Sequence, residues 1–97
     1  MPETKMLKLT AEDIQGATRT SARNCPFARA ANRLFRQSYE VGNITVIGKT
    51  ASYPANILLH HTGEYWDIED RGAETIELFD TDKPIEPGVY LITKREA

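Results

Sequence analysis

The segment NCPFARAANRLF, Asn24 to Phe35, constrains this chain more than any other stretch, because it joins a helix start signal to an apolar stripe and a run of one charge. Asn24 reads as an N-cap, whose side-chain oxygen accepts from an amide left orphaned one turn in. Pro26 falls in the first turn, where its missing N–H costs nothing. Phe27, Ala30, Ala31, Leu34 and Phe35 recur at helical spacing and share one face. Arg29, Arg33 and Arg36 fall on the other side. The spacing predicts a helix from about Cys25 to about Ser38, its apolar face turned to the core and its arginines to solvent or a partner.

The flanking sequence supplies the surface on which such a helix can rest. Lys5 to Leu9 reads as a first strand. Thr10 and Asp13 have the spacing of a capping box, with Asp in place of the usual Glu or Gln, so one helical turn is expected over Ala11 to Gln15, ended by Gly16. Ala17 to Arg23, rich in small and hydroxyl residues, reads as a loop. After Tyr39 the period changes to alternation, and Asn43 to Lys49 is a strand with Ile44 and Val46 on one face and Thr45 and Ile47 on the other. ILLHH, TG and EYWDI then form a hairpin. With Thr62-Gly63 as a two-residue turn, His61 opposes Glu64, Leu59 opposes Trp66 and Ile57 opposes Ile68. Ile57, Leu59, Trp66 and Ile68 form the surface expected to receive the helix, and Leu58, His60, Tyr65 and Asp67 the opposite face. Asp70 is placed to cap a second helix over Ala73 to Phe79, and Val89 to Thr93 is a closing strand. The sum is an α+β fold in one domain, 1–97: an antiparallel sheet of about four to five strands packed by one main helix and a second shorter one.

Composition narrows the setting. One cysteine, Cys25, allows no internal disulfide and fits a reducing compartment. No apolar run approaches the roughly 20 residues of a membrane span, and MPETKMLKLT lacks the apolar core of a signal peptide. A cytoplasmic protein without membrane contact is expected. Net charge is only −2, yet it is unevenly spread. Gln15 to Tyr39 holds five arginines and no acid, whereas Glu64 to Glu86 holds nine acids against Arg71 and Lys83. Such blocks either steer a charged partner or attract each other within the fold.

No catalytic constellation is assembled. Cys25 at a helix start could have a lowered thiol pKa, but no base is placed near it, and burial is the simpler state for a small free cysteine. His60 and His61 are adjacent on a strand and point to opposite faces, so they cannot chelate one ion. The acids lack the spacing and glycine of a calcium loop, and phosphate-loop, serine-elbow and zinc-protease motifs are missing. Neither a cofactor nor a metal is expected, and the chain reads as non-enzymatic. Binding is the better-supported class. Arg19, Arg23, Arg29, Arg33 and Arg36 suit contacts to phosphate or carboxylate. Glu69, Asp70, Glu74, Glu77, Asp80 and Asp82 could instead imitate a phosphate backbone and fill a basic groove on another protein.

DIQG (Asp13 to Gly16), CPFARA (Cys25 to Ala30), ITVIG (Ile44 to Gly48) and ELFDTDKPIEPGVYLI (Glu77 to Ile92) together resemble a diffuse family of small, mostly uncharacterised phage and prophage proteins. Its members share a D-I-x-x-G turn, a C-P-x-A-x-A helix start and a closing F-D-x-x-x-P-x-x-P segment. The resemblance implies an accessory protein of the anti-CRISPR type, a non-enzymatic inhibitor that binds a host protein or ribonucleoprotein of bacterial defence in the host cytoplasm. The alternative is a small nucleic-acid-binding regulator that uses the arginine-rich central helix.

Overall fold

Thr4–Leu9 (β1) leads into a single helical turn, Ala11–Gln15 (α1), and then the central helix, Pro26–Leu34 (α2). Strands Ile44–Ile47 (β2), Asn56–Leu59 (β3) and Glu64–Ile68 (β4) follow, then helix Asp70–Asp80 (α3) and strand Gly88–Lys94 (β5). The computed structural model describes residues 2–36 and 44–96. The five strands form one antiparallel sheet in the order β1-β5-β4-β3-β2, which establishes the α+β fold. None of the described helices is long and apolar enough to cross a membrane.

The helices pack on one face of the sheet. Leu7, Leu9, Ile44, Ile57, Trp66, Ile68 and Ile92 alternate onto that face and are essentially inaccessible. From α2, Phe27, Ala30 and Ala31 are buried as the stripe requires, and Ala28 and Asn32 join them, so the buried face is wider than the spacing implied. Phe27 meets Tyr90 of β5 with ring centroids 5.0 Å apart, and Phe35 meets Trp66 at 5.3 Å. None of the described helices packs on the opposite face; Met6, Tyr65, Val89 and Leu91 stand exposed on it.

Several local expectations are corrected. The N-cap of α2 is Cys25, whose Sγ accepts from the Ala28 amide at 3.3 Å. Pro26 opens the helix, so the residue before it takes the cap, and Asn24 binds the preceding loop instead through Thr18 Oγ1 and the Gly16 carbonyl. The helix stops at Leu34, with Phe35 as C-cap and Arg36 in the left-handed region at φ 56°. The expected continuation to Ser38, like Asn43 at the start of β2, lies outside the described residues. In the hairpin, Leu59 pairs with Glu64 and Ile57 with Trp66. The connection is thus the four residues His60 to Gly63, closed by the Gly63 amide on the Leu59 carbonyl at 2.8 Å with Gly63 at φ 74°. His61 therefore does not oppose Glu64. The register differs by two, which returns each side chain to its expected face.

α3 starts earlier than predicted, and Asp70 is its first residue rather than its cap. The N-cap is Glu69, which makes no side-chain capping bond because its carboxylate accepts from the Leu91 amide. At Gly72 the helix packs too tightly for a side chain. A Cβ there would lie 2.4 Å from Ile68 Cγ2, 3.4 Å from Tyr90 and 3.5 Å from Phe27. Ile68 is itself buried and cannot step aside cheaply. Gly72→Ala is therefore expected to cost about 1–2 kcal/mol, because the steric penalty of overpacking exceeds the helix-propensity gain of roughly 0.5–1 kcal/mol. Urea unfolding followed by Trp66 fluorescence measures the sign; a more stable variant would refute the close approach.

Candidate functional site

The capping box forms as the sequence predicts: the Asp13 amide donates to Thr10 Oγ1 at 3.2 Å, and the Thr10 amide donates to Asp13 Oδ2 at 2.9 Å. That geometry buries Asp13 to 3% exposure and aims its carboxylate at α2. Arg33 answers with two bonds, Nη1 to Oδ1 at 2.7 Å and Nη2 to Oδ2 at 2.8 Å, and Nη2 also donates to the Lys8 carbonyl at 2.8 Å. Burial pushes the Asp13 carboxyl up, but the hydrogen bonds from Arg33 and Thr10 outweigh it and hold the group below the ordinary carboxylate range.

The other arginines have different partners from Arg33, although Arg29 precedes it by one turn on α2. Arg29 donates to Asn24 Oδ1 at 3.2 Å, and its guanidinium lies where a Cβ on Gly16 would fall. Arg19 pairs with Asp82 and lies 5.9 Å from the centre of the Phe79 ring. Arg23 and Arg36 are exposed. The basic and acidic segments thus meet within the fold, and the Thr20 amide adds a bond to Asp80 Oδ1 at 3.0 Å.

The six acids separate into two groups. Glu69 holds the Leu91 amide and lies near Arg71, and Asp82 holds Arg19. Asp70, Glu74, Glu77 and Asp80, three or four residues apart on α3, line one groove of about 500 Å³ with Ala73, Ile76 and Lys49. Lys49 Nζ is 3.7 Å from Asp70. Four carboxylates thus share one groove with a single lysine.

Cys25 is 5% exposed and its thiol is pushed up to about 11 by burial, the opposite of what a nucleophile needs. Among the described residues no group of three or more His, Cys, Asp or Glu could hold a metal ion.

One cluster has no counterpart in the sequence reading. On the face opposite the described helices, the Arg95 guanidinium carbon lies 5.0 Å from the Tyr53 ring centre and 4.9 Å from that of Tyr65. Asp67 accepts from Arg95 Nε at 3.1 Å. Strand alternation places Tyr65 and Asp67 on that face, but nothing local signals that Tyr53, in a loop, and Arg95, beyond the last strand, converge there.

No family model, curated protein or solved structure matches the chain.

Proposed function

We propose that this chain is a non-catalytic binding protein of the phage-accessory type, which inhibits a bacterial defence complex by laying the carboxylate row of α3 on a basic, nucleic-acid-holding groove of that complex. The observation that carries the reading is the groove lined by Asp70, Glu74, Glu77 and Asp80 with Lys49 beside it. Beyond Asp70, which complements the N-terminus of α3, the row works against the helix that bears it. Like charges three or four residues apart each cost about 0.2–0.5 kcal/mol. Glu77 and Asp80 also crowd the C-terminal half of α3, whose last turn has no basic residue to complement the helix dipole. Asp70 and Asp80 have partners within the chain, Lys49 and the Thr20 amide, whereas the repulsion around Glu74 and Glu77 supports a cationic partner for the row. The arginine-helix alternative is less well supported, since Arg19 and Arg33 are held by acids of the same chain and Arg29 donates to Asn24.

The double variant Glu74→Lys/Glu77→Lys separates folding from binding. It is expected to raise unfolding stability by about 0.5–1 kcal/mol through relief of like-charge contacts. In a pull-down from bacterial lysate, the native chain should retain a nucleic-acid-binding component of a defence complex and reduce its nucleic-acid binding, and the variant should do neither. Retention of no such component, or equal retention by the variant, refutes the reading.

A further inference from the structure

Tyr53, Arg95 and Tyr65 line an open cavity of about 350 Å³ together with Ile47, Thr50 and Asn56. Its walls are held in place. The Arg95 amide donates to the Tyr65 carbonyl at 2.7 Å, extending the β4–β5 pairing by one residue, and Asp67 holds the guanidinium from the side. The tyrosines are open, Tyr53 at 58% and Tyr65 at 37% exposure. Asn56 is only 3% exposed. Its Nδ2 donates to the Pro54 carbonyl at 3.0 Å, while its Oδ1 is buried and accepts from no described residue. An orphaned buried acceptor costs about 1–3 kcal/mol, a cost that a donor reaching it from a bound molecule would offset.

Two aromatic faces, a planar cation and an unsatisfied amide oxygen define the ligand: a flat ring system that stacks and carries a hydrogen-bond donor on its edge. The size of the cavity lies at the small end of ligand pockets, about 300–1,000 Å³, and suits one such ring system rather than a base pair. The charge of this face does not oppose a polyanion that presents its bases. Among the strand residues that alternate onto this face, Asp67 is the sole carboxylate, and Arg95 neutralises it; Lys8 is the remaining charge. Negative charge gathers instead along α3, which packs on the other face. We infer that this cavity binds an unpaired nucleobase of single-stranded nucleic acid, stacked on Tyr53 and Tyr65 beside Arg95, with the Asn56 amide oxygen accepting from the base edge once binding opens a path to it. The inference does not depend on the α3 docking reading, because the two surfaces share no residue.

Fluorescence anisotropy of a labelled ten-nucleotide RNA, the DNA of the same sequence and its duplex tests this. Saturable binding of at least one single strand is expected, with the duplex at least ten-fold weaker, and comparison of the two single strands identifies the sugar preferred. Tyr53→Ala should weaken single-strand binding about ten-fold, as loss of one stacking ring does, and Tyr53→Phe should keep it. Because Tyr53 is exposed, Tyr53→Ala should melt within a few degrees of the native chain, which separates lost binding from lost fold. Absence of saturable binding to both single strands, equal binding of the duplex, or an unchanged affinity in a folded Tyr53→Ala overturns the inference.

Discussion

Phe27→Ala is expected to destabilise the chain by about 3–5 kcal/mol, the range for removing a large aromatic side chain from a filled core. Phe27 is fully buried and sits where three elements meet. It comes from the first turn of α2, its ring packs on Tyr90 of β5, and its edge lies under the point where α3 has only Gly72. Collapse into the vacated space would have to draw a helix and a strand together, so most of the cavity should persist. Small domains are stable by about 5–15 kcal/mol in total, so this one substitution removes a large share. Phe27→Leu, which keeps much of the volume, should cost under about 1.5 kcal/mol if the neighbours repack. Trp66 is the only tryptophan and is buried in the same core, so urea titration of its fluorescence reads both variants. Equal midpoints for Phe27→Ala and the native chain would show that the three-element junction is not where the fold is held.

Asp13→Ala should have the next largest effect, about 2 kcal/mol. The capping interaction contributes about 1 kcal/mol. The bonds from Arg33 add charge-assisted strength, reduced because the Arg33 side chain is 52% exposed and can return to water. Arg33→Ala should cost a comparable amount by leaving the buried carboxylate with Thr10 alone, and the double-mutant cycle should show a coupling above about 0.5 kcal/mol. The sign with pH follows from the depressed folded value of Asp13. A free Asp titrates near about 3.9, so the contribution is complete above that pH and is lost as pH falls through the lower folded value. The stability gap between the native chain and Asp13→Ala should narrow in acid. A gap that stays constant from neutral pH down to pH ~2 would show that Asp13 acts through packing rather than charge.

The contrast between Thr10–Asp13 and Asp13–Arg33 shows what the sequence makes legible. The capping box spans one turn and is set by local backbone geometry, so residue types at fixed spacing reveal it. The ion pair joins residues twenty positions apart and depends on how α1 and α2 dock, which no local pattern encodes. The hairpin falls between these cases. Alternation identified the buried faces of β3 and β4, but the pairing depended on loop length, and Gly63 in the left-handed region closes a longer loop than Thr62-Gly63 alone implied. The same distinction applies to the sites. The acidic residues are visible as a block, yet only the helix selects Asp70, Glu74, Glu77 and Asp80 as one row. The Tyr53–Tyr65–Arg95 cluster depends entirely on tertiary approach of a loop, a strand and the chain end.

The bond from Arg33 to the Lys8 carbonyl has a further consequence. β1 and β2 are the outer strands of the sheet, and each would otherwise offer outward backbone groups to a neighbouring molecule. Arg33 occupies one such acceptor on β1, and the Ala22 carbonyl takes the Val46 amide on β2 at 2.8 Å. The loop and helix between Ala17 and Arg36 thereby act as a guard against runaway strand addition. Removing the Arg33 guanidinium would free one acceptor on the outer margin of β1 as well as loosening α1 from α2.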